Sequence, residues 1–426
     1  METLFNCSLW GDEAFSAVAA QRPFFEMIAV VAKDTSPPLF YIIMWTWFKI
    51  FGSSEIAIRS LTLLFYLGTI SFVFLLVKKL YNKKAAFWAT LLTLFNPFLF
   101  PYAFEGRMYF SLLFFTVASY YFLASKNRWG YIAAATAAIY SHHFAFLAIF
   151  SQFVWQIFDQ PNKKNIIKVV KDYLIIGALY IPWLYPLYLQ TTLVSGGFWL
   201  GKPRPVDLIN IFKNLLNNKV ISNYHKTIPL IAGAIALTRK WQKKDLFFVF
   251  WLAVPPIAAF LISQTSLKIF YERYLLYCVP PLTILLATNW RKISLPLIAI
   301  LAIFYIQISY IQFTQPFKKP FRDFADIVKS KGSNVTIINY NGSAHHLWET
   351  KYYQIKAPIY SLGGELPFFV GTAQMTPEDV VYTLPEENKI GVITSDSPES
   401  VNIDGFSIKE KYGIDSLSFL IMEKSD

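Results

Sequence analysis

Carboxylates, guanidinium groups and imidazoles set among apolar residues are the features of this chain that most need a physical reason, because ionisable groups at membrane depth are expensive. Asp12 and Glu13 stand together in LWGDEAFS, and Asp34 follows in KDTSPPLF. A carboxylate there can take a proton from a hydroxyl or amine and so activate a nucleophile. Asp12, just ahead of AFSAVAA, can equally serve as a helix N-cap. Glu105, Arg107 and Tyr109 fall in EGRMY, directly after the proline-rich NPFLFPYAF. Gly106 lets the backbone approach a ligand closely, and Arg107 can grip a phosphate through two parallel hydrogen bonds. The alternative is an arginine snorkelling to the interface beside Glu105. Arg59, four residues after Glu55, either forms a helical ion pair or points inward at an anion.

His142 and His143 are adjacent, so from a helix they project in different directions and make a poor metal site. One can hydrogen-bond a substrate oxygen while the other packs. A satisfied structural histidine is the plain alternative for either. Arg273 in YERY, with Lys202 and Arg204, adds positive charge that reads as exposed loop charge or as a phosphate ligand. The sequence contains no Walker loop, no GxGxxG after a strand, no HExxH and no CxxC pair, so nucleotide hydrolysis and a zinc centre have no motif behind them.

The elements that must position these residues are those of a polytopic α-helical membrane protein. The chain has 426 residues, 55% hydrophobic and only 15% charged, with a mean hydropathy of +0.39; a soluble domain carries about a quarter charged residues. Cys7 and Cys278 are its two cysteines, too few for a disulfide scaffold. From Thr314 onward there are 11 Lys+Arg and 15 Asp+Glu, while the residues before it hold the remaining 28 and 12. The net charge of +12 is therefore concentrated among the apolar runs and does not suggest a nucleic-acid partner.

The basic residues cluster in every second loop, at Lys78 to Lys84, Lys126 and Arg128, Lys163 to Lys171, Arg239 to Lys244, and Arg291 and Lys292, which by the positive-inside rule makes those loops cytoplasmic. About ten spans are expected, near 56–77, 85–103, 108–124, 130–142, 144–158, 173–190, 228–238, 246–264, 274–288 and 293–313. Parity then sets residues 1–55, the turns near 105 and 142, and the tail outside.

Three domains follow: 1–55, an external loop with interfacial helices and the acidic motif; 56–315, the transmembrane bundle; and 316–426, a soluble extracytoplasmic α/β domain. In the last, helices are expected near 321–331 and 344–354, and strands in VTIINY, APIYSL, KIGVITS and FLIME. Residues 37–51 are apolar but short and contain Lys49, which suits a helix at the interface anchored by Trp45, Trp47 and Phe48. Glycosylation sequons stand at Asn6, Asn334 and Asn341, all on the expected outer side. An N-terminus that begins outside without a preceding span is awkward to insert, so a further helix is expected ahead of it.

The order LWGDEAFS, DTSPPLFYIIMWTWFKIFGSSEIAIRSL, NPFLFPYAFEGRMYFSLLFF and YSHHFAF, and more loosely YERYLLYCVPP, resembles the membrane-embedded glycosyltransferases of the GT-C superfamily. Within it the chain is most similar to the family 39 type, related to protein O-mannosyltransferases and lipid A aminoarabinose transferases. The resemblance covers roughly residues 8–315. It implies that Asp12 is the catalytic base with Glu13 beside it, and that Arg59, Glu105, Arg107 and Tyr109 belong to the substrate site together with Asp34, His142, His143 and Arg273. The family's Asp-x-His-Pro-Pro element appears as Asp34-Thr35-Ser36-Pro37-Pro38, with Ser in place of His. Its usual first transmembrane helix has no counterpart in these residues.

The implied reaction is inverting transfer of a hexose or pentose from a polyprenyl-phosphate-linked donor to an extracytoplasmic glycan, lipid or protein acceptor, in the plasma membrane. No cofactor or metal is expected beyond the lipid-linked sugar, and membrane lipids are the remaining partners. A polytopic transporter would also gather carboxylates and arginines in a bundle, but no internal repeat is evident. A non-catalytic lipid-binding subunit is the third reading.

Overall fold

The computed structural model describes residues 2–217, 224, 226–288, 290–340, 345–361, 363 and 365–425. Asn341 and the start of the helix expected over 344–354 lie outside these. The helices run, in chain order, α1 Gly11–Gln21, α2 Phe24–Lys33, α3 Leu39–Phe51, α4 Glu55–Leu80, α5 Lys83–Leu94 and α6 Tyr109–Ala124. Next come α7 Arg128–Ser141, α8 Ala145–Asp159, α9 Lys163–Tyr180, α10 Leu184–Ser195, α11 Pro205–Leu216 and α12 Thr227–Leu237. The chain continues with α13 Asp245–Ile262, α14 Val279–Ala287, α15 Ser294–Thr314, α16 Phe321–Lys331 and α17 Leu347–Tyr352.

The chain divides into two compact units, one of Met1–Asp34, Met44–Ile58 and Pro316–Asp426, the other of Thr35–Ile43 and Arg59–Gln315. The second is a helical bundle. Its helices leave large apolar side chains exposed, among them Leu64 and Leu67 on α4, Leu174 on α9, Leu230 on α12 and Ile303 on α15. Such surfaces belong in lipid, and the chain is an integral membrane protein. Among the described residues three helices are long and apolar enough to cross a bilayer, Glu55–Leu80, Asp245–Ile262 and Ser294–Thr314. Leu39–Phe51, Tyr109–Ala124, Ala145–Asp159 and Thr227–Leu237 are apolar but shorter.

Helix breaks in the bundle have local causes. The run expected over 85–103 divides at Asn96-Pro97: the Asn96 side chain accepts hydrogen bonds from the backbone N–H groups of Phe98 and Leu99, so α5 ends at Leu94 and a 3₁₀ turn, Phe100–Phe104, follows. The run expected over 173–190 differs more. Its helix starts ten residues earlier, because Asn162 caps α9 by accepting from the Asn165 N–H. It breaks at Ile181–Trp183, where Pro182 cannot donate.

The other unit contains a six-stranded sheet, β1 Thr336–Asn339, β2 Ile359–Tyr360, β3 Val380–Val381, β4 Lys389–Thr394, β5 Phe406–Ile414 and β6 Leu417–Lys424, in the order β3-β2-β1-β4-β6-β5. The first four in that order are mutually parallel, and β6 and β5 are antiparallel additions. One sheet face packs on Phe321, Phe324 and Val328 of α16 through Ile393, Phe419 and Ile421. The other buries Ile338, Ile390, Val392, Leu420 and Met422. Strand β5, not expected from the sequence, carries Lys409, Glu410 and Lys411 and is largely exposed, as suits an edge that must resist further pairing. Cys7 and Cys278 are both free and buried.

Candidate active site

In the unit that contains the sheet, the acidic motif forms the first turn of α1. The N-cap is Trp10, in extended conformation, so Asp12 lies inside the helix and the capping alternative does not apply to it. Negative charge in a first turn is favoured by the helix dipole. Glu13 is fully buried and forms an ion pair of 2.8 Å with Lys318, itself 3% exposed. With Glu13 turned inward, Asp12, about 100° round the helix, is left partly exposed.

Helix α1 packs on α17: Phe15 meets Trp348 edge-on at 5.2 Å, and Gln374 donates to the Phe15 carbonyl at 3.2 Å. Gly371, at φ 92°, makes room for this packing, since a Cβ there would stand 2.7 Å from Trp348 Nε1. His345, His346 and Glu349 lie on the α17 side of the motif, with Glu349 Oε1 3.6 Å from where a Cβ on Gly11 would be and 3.3 Å from His346 Nδ1. Burial pushes the His345 imidazole down to about 4. Asp34 ends α2, its N–H bonded to the carbonyls of Val30 and Val31. Glu55 accepts from Arg322 Nε and Tyr353 OH, both at 3.0 Å. The Trp45 indole donates to the Arg22 carbonyl and that of Trp47 to the Ala57 carbonyl, while Lys49 stands 5.1 Å over the Trp45 ring.

In the helical bundle a cavity of about 270 Å³ is lined by Thr35, Ser36, Arg107, Tyr109, His142 and His143 on its polar part and by Leu187, Val194, Phe198 and Ile262 among its apolar residues. Helix α7 ends at Ser141, His142 is extended (φ −162°, ψ 138°) and α8 starts only at Ala145. The two imidazoles are therefore not on a helix, and both reach the cavity, which their adjacency alone did not suggest. His142 Nδ1 accepts the Phe144 N–H at 3.1 Å, which fixes its ring and leaves Nε2 to carry the proton. His143 Nε2 is 2.7 Å from Gln190 Oε1, and the Gln190 amide donates to the Ser36 carbonyl at 3.2 Å.

Arg107 follows a tight turn in which its N–H bonds the Glu105 carbonyl at 2.6 Å; Glu105 itself is buried. Tyr109 accepts from Arg273 Nη1 at 3.3 Å, and the Arg273 guanidinium lies 5.6 to 5.8 Å from the rings of Tyr102, Tyr109 and Tyr271. Arg273 thus stands behind Tyr109 rather than along the cavity wall. Arg59 is fully buried on α4 and is not among the lining residues. Its neighbour Thr62 donates to the Ala103 carbonyl at 2.9 Å, tying α4 to the turn that leads into Glu105.

The structure therefore brings Arg107, Tyr109, His142 and His143 to one cavity, places Arg273 against Tyr109, leaves Arg59 and Glu105 buried in the same unit away from the lining, and sets Asp12, Glu13 and Asp34 in the other unit. Gln190 and Lys318 were not found from the sequence. Gln190 had a signal, as an uncharged polar residue inside an apolar run; Lys318 in PFKKP had none, since its carboxylate partner is 305 residues away. Among the described residues no group of three or more His, Cys, Asp or Glu side chains is arranged to hold a metal ion.

Residues 35–188 match the family model described as dolichyl-phosphate-mannose-protein mannosyltransferase. Two crystal structures of ArnT from Cupriavidus metallidurans, one apo and one bound to undecaprenyl phosphate, superpose with TM-scores of 0.63 at 12% identity, covering 98% of this chain and 94% of theirs. The fold of this chain is therefore that of ArnT. An Archaeoglobus fulgidus oligosaccharyltransferase matches at a TM-score of 0.47 and 14% identity, over 84% of this chain and 59% of its own. No curated protein matches the chain in sequence.

Proposed function

We propose that this chain, a member of the GT-C superfamily of membrane glycosyltransferases, transfers a hexose or pentose from a polyprenyl-phosphate-linked donor to an extracytoplasmic acceptor, with inversion at the anomeric carbon. The observation that carries this reading is the bundle cavity, whose lining combines Arg107 and two imidazoles with Leu187, Val194 and Ile262. An anionic headgroup joined to an isoprenoid needs such a mixed lining, and the undecaprenyl phosphate bound by the ArnT crystal structure is a ligand of that class.

In the proposed reaction the acceptor oxygen attacks the anomeric carbon, its proton passes to the Asp12 carboxylate, and the bond from that carbon to the phosphate oxygen breaks with its electron pair going to the lipid phosphate. Arg107 stabilises the departing phosphate through charge-assisted hydrogen bonds. Arg59 adds its charge from within the bundle, and Arg273 positions Tyr109. Glu13 acts through its ion pair with Lys318, which sets the rotation of α1. The lipid-linked sugar supplies the leaving group, so the reading calls on no further cofactor or metal. About ten spans, a plasma-membrane location, and the acidic motif and C-terminal sheet outside belong to the same proposal; the acceptor is a glycan, lipid or protein.

The test is mass spectrometry of copurified lipid joined to a transfer assay. Asp12→Asn is expected to retain a polyprenyl-phosphate sugar while transfer falls about 10²–10⁴-fold, and Arg107→Ala to lose the bound lipid. Undiminished transfer by Asp12→Asn removes the base assignment. A copurified transport solute in place of a lipid-linked sugar would favour a carrier.

A further inference from the structure

A second cavity in the helical bundle, of about 380 Å³, lies at the end of α7 away from His142, lined by residues at and around the α6–α7 and α8–α9 connections and by Lys244 ahead of α13. The two cavities are separated by the 14 residues of α7, about 20 Å. Its charged lining is Lys126, Arg128, Lys168 and Lys244 against Asp159 and Asp172, an excess of two positive charges.

Those charges are not equivalent. Asp172, 7% exposed, is taken by Arg128 at 2.6 Å, and Asp159, a third exposed, is engaged through one oxygen by Lys243 at 3.3 Å, which leaves its other oxygen for a ligand. Lys244 donates to the Leu80 carbonyl at 2.9 Å and stands over the Tyr81 ring. Lys126 and Lys168 are exposed and form no ion pair among the described residues. Lys126 is also held at φ 56°, at the end of α6, where the N–H groups of Lys126 and Asn127 bond back to Leu123 and Phe122. That is the helix-ending position glycine fills best. A lysine kept there at a conformational cost points to use of its side chain. Around the cavity the helices turn apolar side chains outward, Trp129 on α7, Phe158 on α8 and Ile167 and Leu174 on α9.

We propose that this cavity binds the headgroup of an anionic glycerophospholipid, with the phosphodiester between Lys126 and Lys168, a headgroup hydroxyl on the Asp159 carboxylate, and the acyl chains along the outward faces of α8 and α9. Basic pockets between helices on one membrane face take such headgroups, and a hydroxyl-bearing headgroup of the phosphatidylglycerol type satisfies both the lysines and the aspartate. A choline headgroup has no hydrogen to donate to Asp159.

The experiment titrates the detergent-purified full chain with short-chain phosphatidylglycerol, short-chain phosphatidylcholine and glycerol phosphate, reading binding by native mass spectrometry and Tm by thermal unfolding. Phosphatidylglycerol is expected to bind and raise Tm, phosphatidylcholine to do so far more weakly, and glycerol phosphate to compete only at much higher concentration. Removing each lysine should weaken phosphatidylglycerol binding roughly fivefold. Lys126→Gly separates binding from folding, because it relieves the left-handed backbone: its Tm without lipid should hold or rise while binding falls. Lys168→Arg should retain binding where Lys168→Ser does not. Equal binding of the choline lipid, saturation by glycerol phosphate at the lipid's own concentration, or undiminished binding by Lys126→Gly combined with Lys168→Ser each overturns the proposal.

Discussion

Asp12 and Glu13 are neighbours of nearly identical chemistry, yet Glu13 is sealed against Lys318 while Asp12 keeps part of its surface. The ion pair makes Glu13 a charge that the fold depends on. Removing one partner of a buried pair leaves the other uncompensated, so Lys318→Met is expected to cost about 3–5 kcal/mol in denaturant unfolding, and Glu13→Gln added to it to recover much of the loss. A cost near zero would mean that other groups or water compensate Glu13 in the variant. His345 titrates in the same unit. Its folded-state value of about 4, set by burial against the pull of Glu349, lies below the roughly 6.5 of an unfolded histidine. The unfolded chain then binds the proton more readily, so the stability this group contributes is complete above about pH 6.5. It is lost as the pH falls toward 4, by up to about 1.4 kcal/mol per unit. Unfolding measured from pH 7.5 down to about 5 should show that slope, and His345→Gln should flatten it; an identical slope in the variant assigns it to another group.

At the scale of elements, the segments with a strong local pattern are the ones legible in the sequence. FRDFADIVKSK alternates apolar and charged residues at helical spacing and forms α16 over the very range expected. KIGVITS and FLIME become β4 and β6 because a buried central strand needs a continuous apolar run. FSIKEKYGI hides its strand character behind charges that only an edge position accounts for. Gly391 in β4 belongs to this scale as well. A Cβ there would stand 2.7 Å from the Phe419 ring, which crosses over the strand. Gly391→Ala should therefore destabilise the domain by about 1–3 kcal/mol through overpacking, and Gly391→Ala with Phe419→Leu should cost less than the sum of the two single changes. Strict additivity in that cycle would show that ring and methyl do not meet.

At the scale of the whole molecule, the unit that carries the acidic motif is drawn from three stretches, Met1–Asp34, Met44–Ile58 and Pro316–Asp426. Lys318, Trp348 and Gln374, which meet the buried face of α1, all come from the last stretch, whereas the middle one supplies Ser53 to Gln21 at the helix end. A chain ending at Gln315 should leave α1 without them. Limited proteolysis is then expected to cut within 11–21 in the shortened chain and to spare it in the full one, and equal protection in both would show that α1 is held without the C-terminal residues.

Membrane character, the alternation of basic loops and most strands of the terminal sheet were determined by the sequence itself, because hydropathy, charge spacing and short apolar runs act over a few residues and need no partner. The tertiary structure alone decided that Glu13 is buried and Asp12 is not, that two adjacent histidines reach one cavity through a helix break, and that Gln190 holds His143. Each of those outcomes depends on a side chain or backbone group distant in the chain, and no local pattern encodes which of many distant groups will be the one that arrives.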